Sequence, residues 1–341
     1  MSRPQLRKDP VTQRWVVISP ERADLPAPGP VSRPTALPPE ACPFCPGNES
    51  QTGAEIYVER EAGTAANRPG WSVRVVADRY PIFRIEGGLE KHAEGMYDSM
   101  NAVGAHEILI ETADHARHWA DVEALHLDRI LRVCQQRCLD LRNDLRFRQV
   151  MWVKNYGLPA SVFQHPHSHI MASPFVPRVI EEELKGFGDY ARWKERCVLC
   201  DMVKQEQRDG RRIVLREDGV LAFAPFASRF PFECWIVPVD HAHDFGTAPS
   251  GVRRDLARLL PRVLGGLREV LQDPPFTLVL HSSPLAEFAR EEYHWHLEVV
   301  PHPPHLLGPE WGTGILINPV PPELAAERLR GALGSSEVRH T

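Results

Sequence analysis

The stretch FQHPHSHIMASP, residues 163 to 174, sets three histidines at every second position. In a β-strand successive side chains alternate between faces, so His165, His167 and His169 are predicted to share one face and Pro166, Ser168 and Ile170 the other. A buried row of imidazoles without partners would waste polar groups, so a metal, a phosphate or solvent has to meet it. Working outward from this strand, the chain reads as two passes of one pattern. Upstream lie Cys42 and Cys45 in CPFCPGNES, the β-rich WSVRVVADRYPIF, and the apolar run HEILIETADH ending at His115. The segment HWADVEALHLDRILRVCQQRCLDLRND has helical spacing, and FRQVMWVKNYG and FQHPHSHIMA read as closing strands. Downstream, Cys197 and Cys200 in CVLCDMV lead to the strands VLAFAPFA and FECWIVPVDH, the helix GVRRDLARLLPRVLGGLREVL, and the strands FTLVLHSS and YHWHLEVVPH.

Both passes run as CxxC, a strand ending in Asp-His, an amphipathic helix, a strand, and a strand carrying His-x-His. His115 and His165 are 50 residues apart, and His241 and His294 are 53 apart. This predicts an α+β fold made by duplication, each half an antiparallel sheet with packed helices. The segment PFVPRVIEEELKGFGDYARWKER reads as a linker helix, placing the division at residues 1–175 and 176–341. The proline-rich ADLPAPGPVSRPTALPPE reads as an extended arm suited to packing on a partner subunit.

With 341 residues the chain is long enough for two such units. A net charge of -5 argues against a basic nucleic-acid-binding surface. No run is apolar enough to span a bilayer, and MSRPQLRKDPVTQRW lacks the apolar core of a secretion signal, so a cytoplasmic protein without membrane attachment is expected. In that reducing compartment the seven cysteines are thiols or metal ligands rather than disulfides, with Cys134, Cys138 and Cys234 reading as small core residues.

DPVTQRWVVISPERA, CPFCPGNES, VRVVADRYPIF, HPHSHI, YHWHLEVVP and EWGTGILINPVPPELAAERLR, taken in this order, resemble the galactose-1-phosphate uridylyltransferase branch of the histidine-triad superfamily, from about residue 3 to residue 331. The resemblance implies two histidine-triad-like halves and a homodimer with active sites close to the subunit interface. It also implies transfer of a nucleotidyl group between sugar phosphates through a covalent histidine, as in galactose metabolism. His167, the second histidine of HPH, matches the nucleophile, and neutral imidazole suits that task because its ordinary pKa is about 6.5. By the same resemblance, His165 joins Cys42, Cys45 and His115 as a closed Cys2His2 set for zinc, with His106 and His118 as alternates to His115. Cys197, Cys200, His241 and His294 form a second zinc set. Some members hold iron there with Glu and three histidines, for which Glu183, His281, His294 and His296 are the candidates. The thiolate pair favours zinc. Asn155 and Ser161 match residues around the phosphates, Asp78 stands where an Asn commonly meets the ribose, and Arg22 matches an arginine that reaches a phosphate across the dimer.

Four departures bear on the reaction. His169 replaces the glutamine usual two residues after the nucleophile, and hydrolytic histidine-triad proteins carry histidine there. Ser161 is one residue further from His165 than usual, with Pro159 in place of the loop glycine. Glu310 and Ile315 stand where the uridylyltransferases carry lysine and tyrosine for the hexose phosphate. Leu25 replaces a second arginine. The expected activity is therefore a nucleotidyltransferase acting on a nucleoside diphosphate sugar and a sugar phosphate. The alternatives are a nucleoside phosphoramidate or dinucleotide hydrolase or phosphorylase, or a nucleotide-binding protein without turnover.

Overall fold

The computed structural model describes residues 3–24, 37–157, 163–285, 288–302 and 308–339. The strands are β1 (Gln5–Lys8), β2 (Trp15–Ile18), β3 (Glu55–Arg60), β4 (Trp71–Ala77), β5 (His92–Glu94), β6 (Tyr97–Ser99), β7 (Ala105–Ile110), β8 (Gln149–Tyr156), β9 (His167–Ser173), β10 (Ile213–Arg216), β11 (Val220–Phe223), β12 (Cys234–Pro238), β13 (Phe276–His281), β14 (His296–Pro301) and β15 (Leu316–Asn318). The helices are α1 (Ala124–Leu141), α2 (Arg178–Lys194), α3 (Val198–Asp209), α4 (Ser250–Leu271), α5 (Gly308–Thr313) and α6 (Pro322–Arg339).

Ten strands form one sheet in the order β10-β11-β12-β14-β13-β8-β9-β7-β4-β3. Read from either edge to the centre, the two halves use the same order: an outer hairpin, the strand before the helix, the histidine strand, then the strand after the helix. The duplication expected from the sequence is thus built into the topology, and the halves meet where β8 pairs antiparallel with β13, Trp152 opposite Leu280 and Tyr156 opposite Phe276. Uncovered strand edges invite wrong pairing, and joining the halves here leaves only the short outer strands at the margins.

Helices α1 and α4, one from each half, pack on one face of this sheet and against each other. Their apolar faces carry fully buried residues such as Leu127, Ile130 and Leu131 on α1 and Leu256, Leu260 and Val263 on α4, which close a single core with Trp119, Trp152, Phe245 and Trp295. Cys134, Cys138 and Cys234 belong to it. Gln135 of α1 is buried and donates to the carbonyls of Phe245 and Ala248, tying the first half's helix to the turn before α4. A second sheet pairs β2 with β1 and, in parallel, with β15, so chain ends distant in sequence close on one another.

The histidine strand departs from its expected start. Its ladder begins at His167 because Pro166 has no N–H to contribute, although the Pro166 carbonyl still accepts from the Glu111 N–H at 3.1 Å. His165 therefore precedes the strand and turns toward the cysteines, leaving His167 and His169 as the pair sharing a face, ring centroids 5.4 Å apart.

Candidate active site and metal centres

A cleft of about 280 Å3 is lined by Phe44 of the CPFC loop, by Gln51 and Thr52, by Asp78, Arg79 and Tyr80 after β4, and by His167 and His169. Strand β9 delivers both histidines because side chains two apart return to the same face. The His167 ring is nearly buried, packed 5.1 Å from the Phe44 ring centroid and 6.2 Å from that of Phe163. Its Nδ1 lies 2.7 Å from the His165 carbonyl oxygen, which can only accept. The proton of the neutral ring is therefore on Nδ1, and the lone pair is on Nε2. Burial lowers the His167 pKa to about 3, favouring that neutral form. Beneath the strand, Lys154 and Glu111 form a buried ion pair at 2.5 Å, and the ammonium also reaches the His167 carbonyl at 3.4 Å. Sequence reading did not single out this pair, since a lone Lys in a strand carries no motif.

The cysteine and histidine sets come together as two separate clusters. Cys42, Cys45, His115 and His165 form one, and Cys197, Cys200, His241 and His294 the other. In all four histidines Nε2 donates to a backbone carbonyl: His115 to Leu37 at 3.0 Å, His165 to Thr112 at 2.8 Å, His241 to Glu291 at 2.7 Å and His294 to Pro238 at 3.1 Å. That fixes the tautomer and turns each unprotonated Nδ1 toward the thiols. The Sγ to Nδ1 separations run from 3.1 Å for Cys45 and His115 to 3.7 Å for Cys197 and His294. A zinc tetrahedron with Zn–S of about 2.3 Å and Zn–N of about 2.1 Å has an S to N edge of roughly 3.6 Å. Without a cation, burial pushes the Cys45 thiol up to about 12. Two pairs of thiols facing two pairs of prepared nitrogens fit zinc, and four protein donors leave no position for substrate. The two CxxC pairs are presented differently. Asn48 ties the first as a loop, donating to the carbonyls of Pro39, Glu40 and Cys42, whereas Cys197 and Cys200 open helix α3.

Of the alternates, His118 is not a ligand candidate: it precedes a short 3-10 turn, where its Nδ1 accepts from the Ala120 N–H at 2.9 Å. His106 faces His169 rather than the cysteines. The iron set read from the sequence is corrected in one member. Glu183, His281 and His296 do converge, but their fourth neighbour is Glu298, because His294, which precedes β14, is committed to the cysteines. The two schemes written as alternatives for the second half are thus two distinct places. Arg229 pairs with Glu233 and Glu298 here, and His281 lies 2.7 Å from Glu183. Burial alone would lower the His281 pKa, but Glu183 and Glu298 reverse that and hold it at about 9. This cluster therefore carries its own cations, Arg229 and protonated His281.

Not every predicted substrate contact reaches the cleft. Asp78 lines it, whereas Asn155 accepts from the Thr277 hydroxyl at 2.8 Å at the seam between halves. Arg22 lies on the 3-10 turn Pro20–Asp24 and is not among the cleft-lining residues. Ser161 and Pro159 lie outside the described residues, as do Leu25 and most of the proline-rich arm. Glu310 caps local backbone, accepting from the Ile317 N–H at 3.2 Å. Pro43 and Phe44 also line the cleft, and their place between the two cysteines of CPFC is the sequence signal that points to them.

No helix among the described residues is long and apolar enough to cross a membrane. Residues 1–177 match the family described as galactose-1-phosphate uridyl transferase, N-terminal domain. ADP-glucose phosphorylase from Arabidopsis thaliana is 32% identical over 96% of this chain and 92% of its own length. Galactose-1-phosphate uridylyltransferase from Thermotoga maritima is 25% identical over 96% of this chain and 98% of its own. Among solved structures, an Arabidopsis ADP-glucose phosphorylase with bound ADP-glucose superposes with a TM-score of 0.81 at 30% identity, covering 97% of this chain and 98% of that one. A uridylyltransferase structure follows at 0.77 and 26%, covering 97% and 99%. The family match spans the half that holds the cleft and the first cysteine cluster, and these relatives span both halves. This chain belongs to the galactose-1-phosphate uridylyltransferase family, enzymes that transfer nucleotidyl groups to and from sugar phosphates.

Proposed function

We propose that the protein is a nucleotidyltransferase that takes a nucleoside monophosphate group from a nucleoside diphosphate sugar onto His167 and passes it to a second phosphate. The observation that carries this is the His167 ring, held through Nδ1–H at 2.7 Å to the His165 carbonyl, on the wall of a cleft of about 280 Å3. The Nε2 lone pair attacks the α-phosphorus, the P–O bond to the β-phosphoryl group breaks, and the sugar 1-phosphate leaves with that bonding pair. The imidazole, now bonded to phosphorus, becomes cationic and keeps its Nδ1 proton, which the His165 carbonyl stabilises. An oxygen of the acceptor phosphate then attacks, the P–N bond breaks, and the neutral ring is restored. No proton need leave the ring in either step.

Residues 1–175 would carry this reaction and residues 176–341 its counterpart half, in a cytoplasmic homodimer to which Arg22 contributes across the interface. Cys42, Cys45, His115 and His165 would hold one zinc and Cys197, Cys200, His241 and His294 another. Bound zinc supplies structural anchoring, which at the first site fixes the residue whose carbonyl orients the nucleophile. Asp78 and His169, which line the cleft, are assigned to the ribose and the phosphoryl group, while the phosphate-side roles of Asn155 and Ser161 rest on the sequence resemblance alone.

A second reading of the acceptor is inorganic phosphate. Glu310, standing where the uridylyltransferases place lysine, spends its carboxylate on the Ile317 N–H and adds no cation for a hexose phosphate. The relative at 32% identity is an ADP-glucose phosphorylase. Incubation with UDP-glucose or ADP-glucose labelled at the α-phosphorus tests both readings. Acid-labile, base-stable label on the wild type and none on His167→Gly is expected, and chase with hexose 1-phosphate against inorganic phosphate identifies the acceptor. Absence of label with every donor would sink the proposal and leave a binding protein.

A further inference from the structure

The hydrogen bonds behind the cleft decide what His169 can offer a substrate. His106 on β7 and His169 on β9 lie on adjacent strands, ring centroids 5.2 Å apart. The His106 Nδ1 is 3.1 Å from the backbone nitrogen of Ile82. A backbone N–H can only donate, so this ring nitrogen must accept and carries no proton. The neutral His106 ring must then carry its proton on Nε2, which is 3.0 Å from His169 Nδ1 and 3.3 Å from the Asp78 carboxylate. The reverse arrangement, His169 Nδ1–H donating to His106, would require both nitrogens of His106 to be bare. His169 Nδ1 is thus the acceptor, and the His169 proton is on Nε2, on the opposite edge of a ring that lines the cleft beside His167. Burial lowers the pKa of both rings, against the pull of Asp78, consistent with two neutral imidazoles in series.

We propose that His106 is a positioning residue that locks His169 as its Nε2–H tautomer, so that the cleft presents a neutral hydrogen-bond donor to a non-bridging oxygen of the α-phosphoryl group. This rests on the nucleotidyl-transfer reading and deepens it. A donor at that place stabilises the charge that builds on the phosphoryl oxygens during both displacements. The same tautomer leaves no lone pair on the cleft side of His169, so the ring cannot take a proton from water. An acceptor that arrives already ionised, such as a phosphate dianion, needs no such base. The relay therefore selects phosphate acceptors over water at a position where histidine would otherwise invite hydrolysis.

The test is a double-substitution cycle on the full-length protein, read against tautomer-resolved 15N histidine NMR. In the wild type His169 should show a protonated Nε2 and a bare Nδ1. His106→Leu should leave a mixture of tautomers, lower kcat for nucleotidyl transfer on the order of tenfold or more with the donor KM within about twofold, and raise the share of product lost to water. His106→Gln, which can accept from Ile82 and donate onward, should recover most of that loss. Glutamine at 169 has its donor whatever its neighbour, so in a His169→Gln background the His106→Leu change should cost less than about threefold. Equal losses in both backgrounds would show that His106 only supports the fold, and an Nδ1–H tautomer at His169 would overturn the proposal without any rate measurement. A wild type that labels with no donor refutes the transfer reading instead, while the NMR result still stands on its own.

Discussion

The same strand beginning is built twice in this molecule and put to two uses. In the first half His165 joins the cysteines and His167 turns its Nδ1–H to the His165 carbonyl at 2.7 Å. In the second, His294 joins the cysteines and His296 turns its Nδ1 to the His294 carbonyl at 3.1 Å. The local hydrogen bonding is repeated, yet His167 lines a cleft whereas His296 is fully buried against Trp235, Tyr293 and His281. Its Nε2 has no hydrogen-bond partner among the described residues. An oriented imidazole is thus not sufficient for chemistry. Space in front of the free nitrogen has to accompany it, and in the second half aromatic rings and two carboxylates fill that space.

Exchanging the two histidines should give the largest contrast. His167→Gly is expected to cut nucleotidyl transfer by on the order of 10^4-fold or more while the chain still folds, because His167 holds no metal and faces open volume. His296→Gly should leave the labelling chemistry in place and lower the melting temperature, since it opens a cavity in packed surroundings. Label retained by His167→Gly, or lost from His296→Gly in folded protein, would break the assignment of roles to the halves.

The metal clusters extend the comparison. Zinc analysis of protein purified without chelator should give about two per chain, and Cys45→Ser and Cys200→Ser should each lose one. Only Cys45→Ser should also depress kcat strongly, because His165 carries both a ligand nitrogen and the carbonyl that orients His167. Equal kinetic damage from the two substitutions would mean that the first cluster has no privileged link to the nucleophile.

A third contrast is electrostatic. In the second half His281 is held protonated between Glu183 and Glu298, its pKa raised to about 9 from an ordinary value of about 6.5. A group whose folded pKa is raised contributes fully below the unfolded value, and the contribution is lost as pH rises through the folded one. Stability should therefore fall between about pH 6.5 and 9 by a few kcal/mol. Glu183→Gln should flatten that part of the profile, and denaturant melts across the range read it directly. A profile unchanged by Glu183→Gln would show that the pair is not coupled as described.

The smallest expected difference concerns two core tryptophans. Trp152 donates from Nε1 to the Ser168 hydroxyl at 2.8 Å, whereas the buried Trp295 Nε1 has no partner among the described residues. Trp152→Phe leaves Ser168 unsatisfied and should cost about 1–3 kcal/mol more than Trp295→Phe, beyond the packing loss both share. Chemical denaturation of the two variants decides it, and equal costs would mean packing alone sets their worth.

Much of this architecture was legible in sequence because it rests on short-range regularities. The CxxC pairs, the Asp-His strand endings and the two His-x-His strands recur in one order with near-equal spacing, and that order became the mirrored strand order of a single sheet. The members of both cysteine–histidine clusters were named from the family resemblance, and the repeated motifs set those candidates in the same order in each half. Tertiary structure alone decided the rest. Glu298 joins Glu183 and His281 only because antiparallel pairing sets Glu298 opposite Val279, two residues before His281 on β13, and α2 lies over them. His106 meets His169 only because register on β7 and β9 makes them diagonal neighbours, and Ile82 settles the tautomer through its backbone N–H, a contact that the motif VRVVADRYPIF does not announce. Whether an oriented histidine faces a cleft or a wall depends on side chains such as Phe44 and Tyr293 from far along the chain. Side-chain period and motif spacing are local quantities that the sequence carries outright, whereas enclosed volume and hydrogen-bond direction exist only once distant segments have packed.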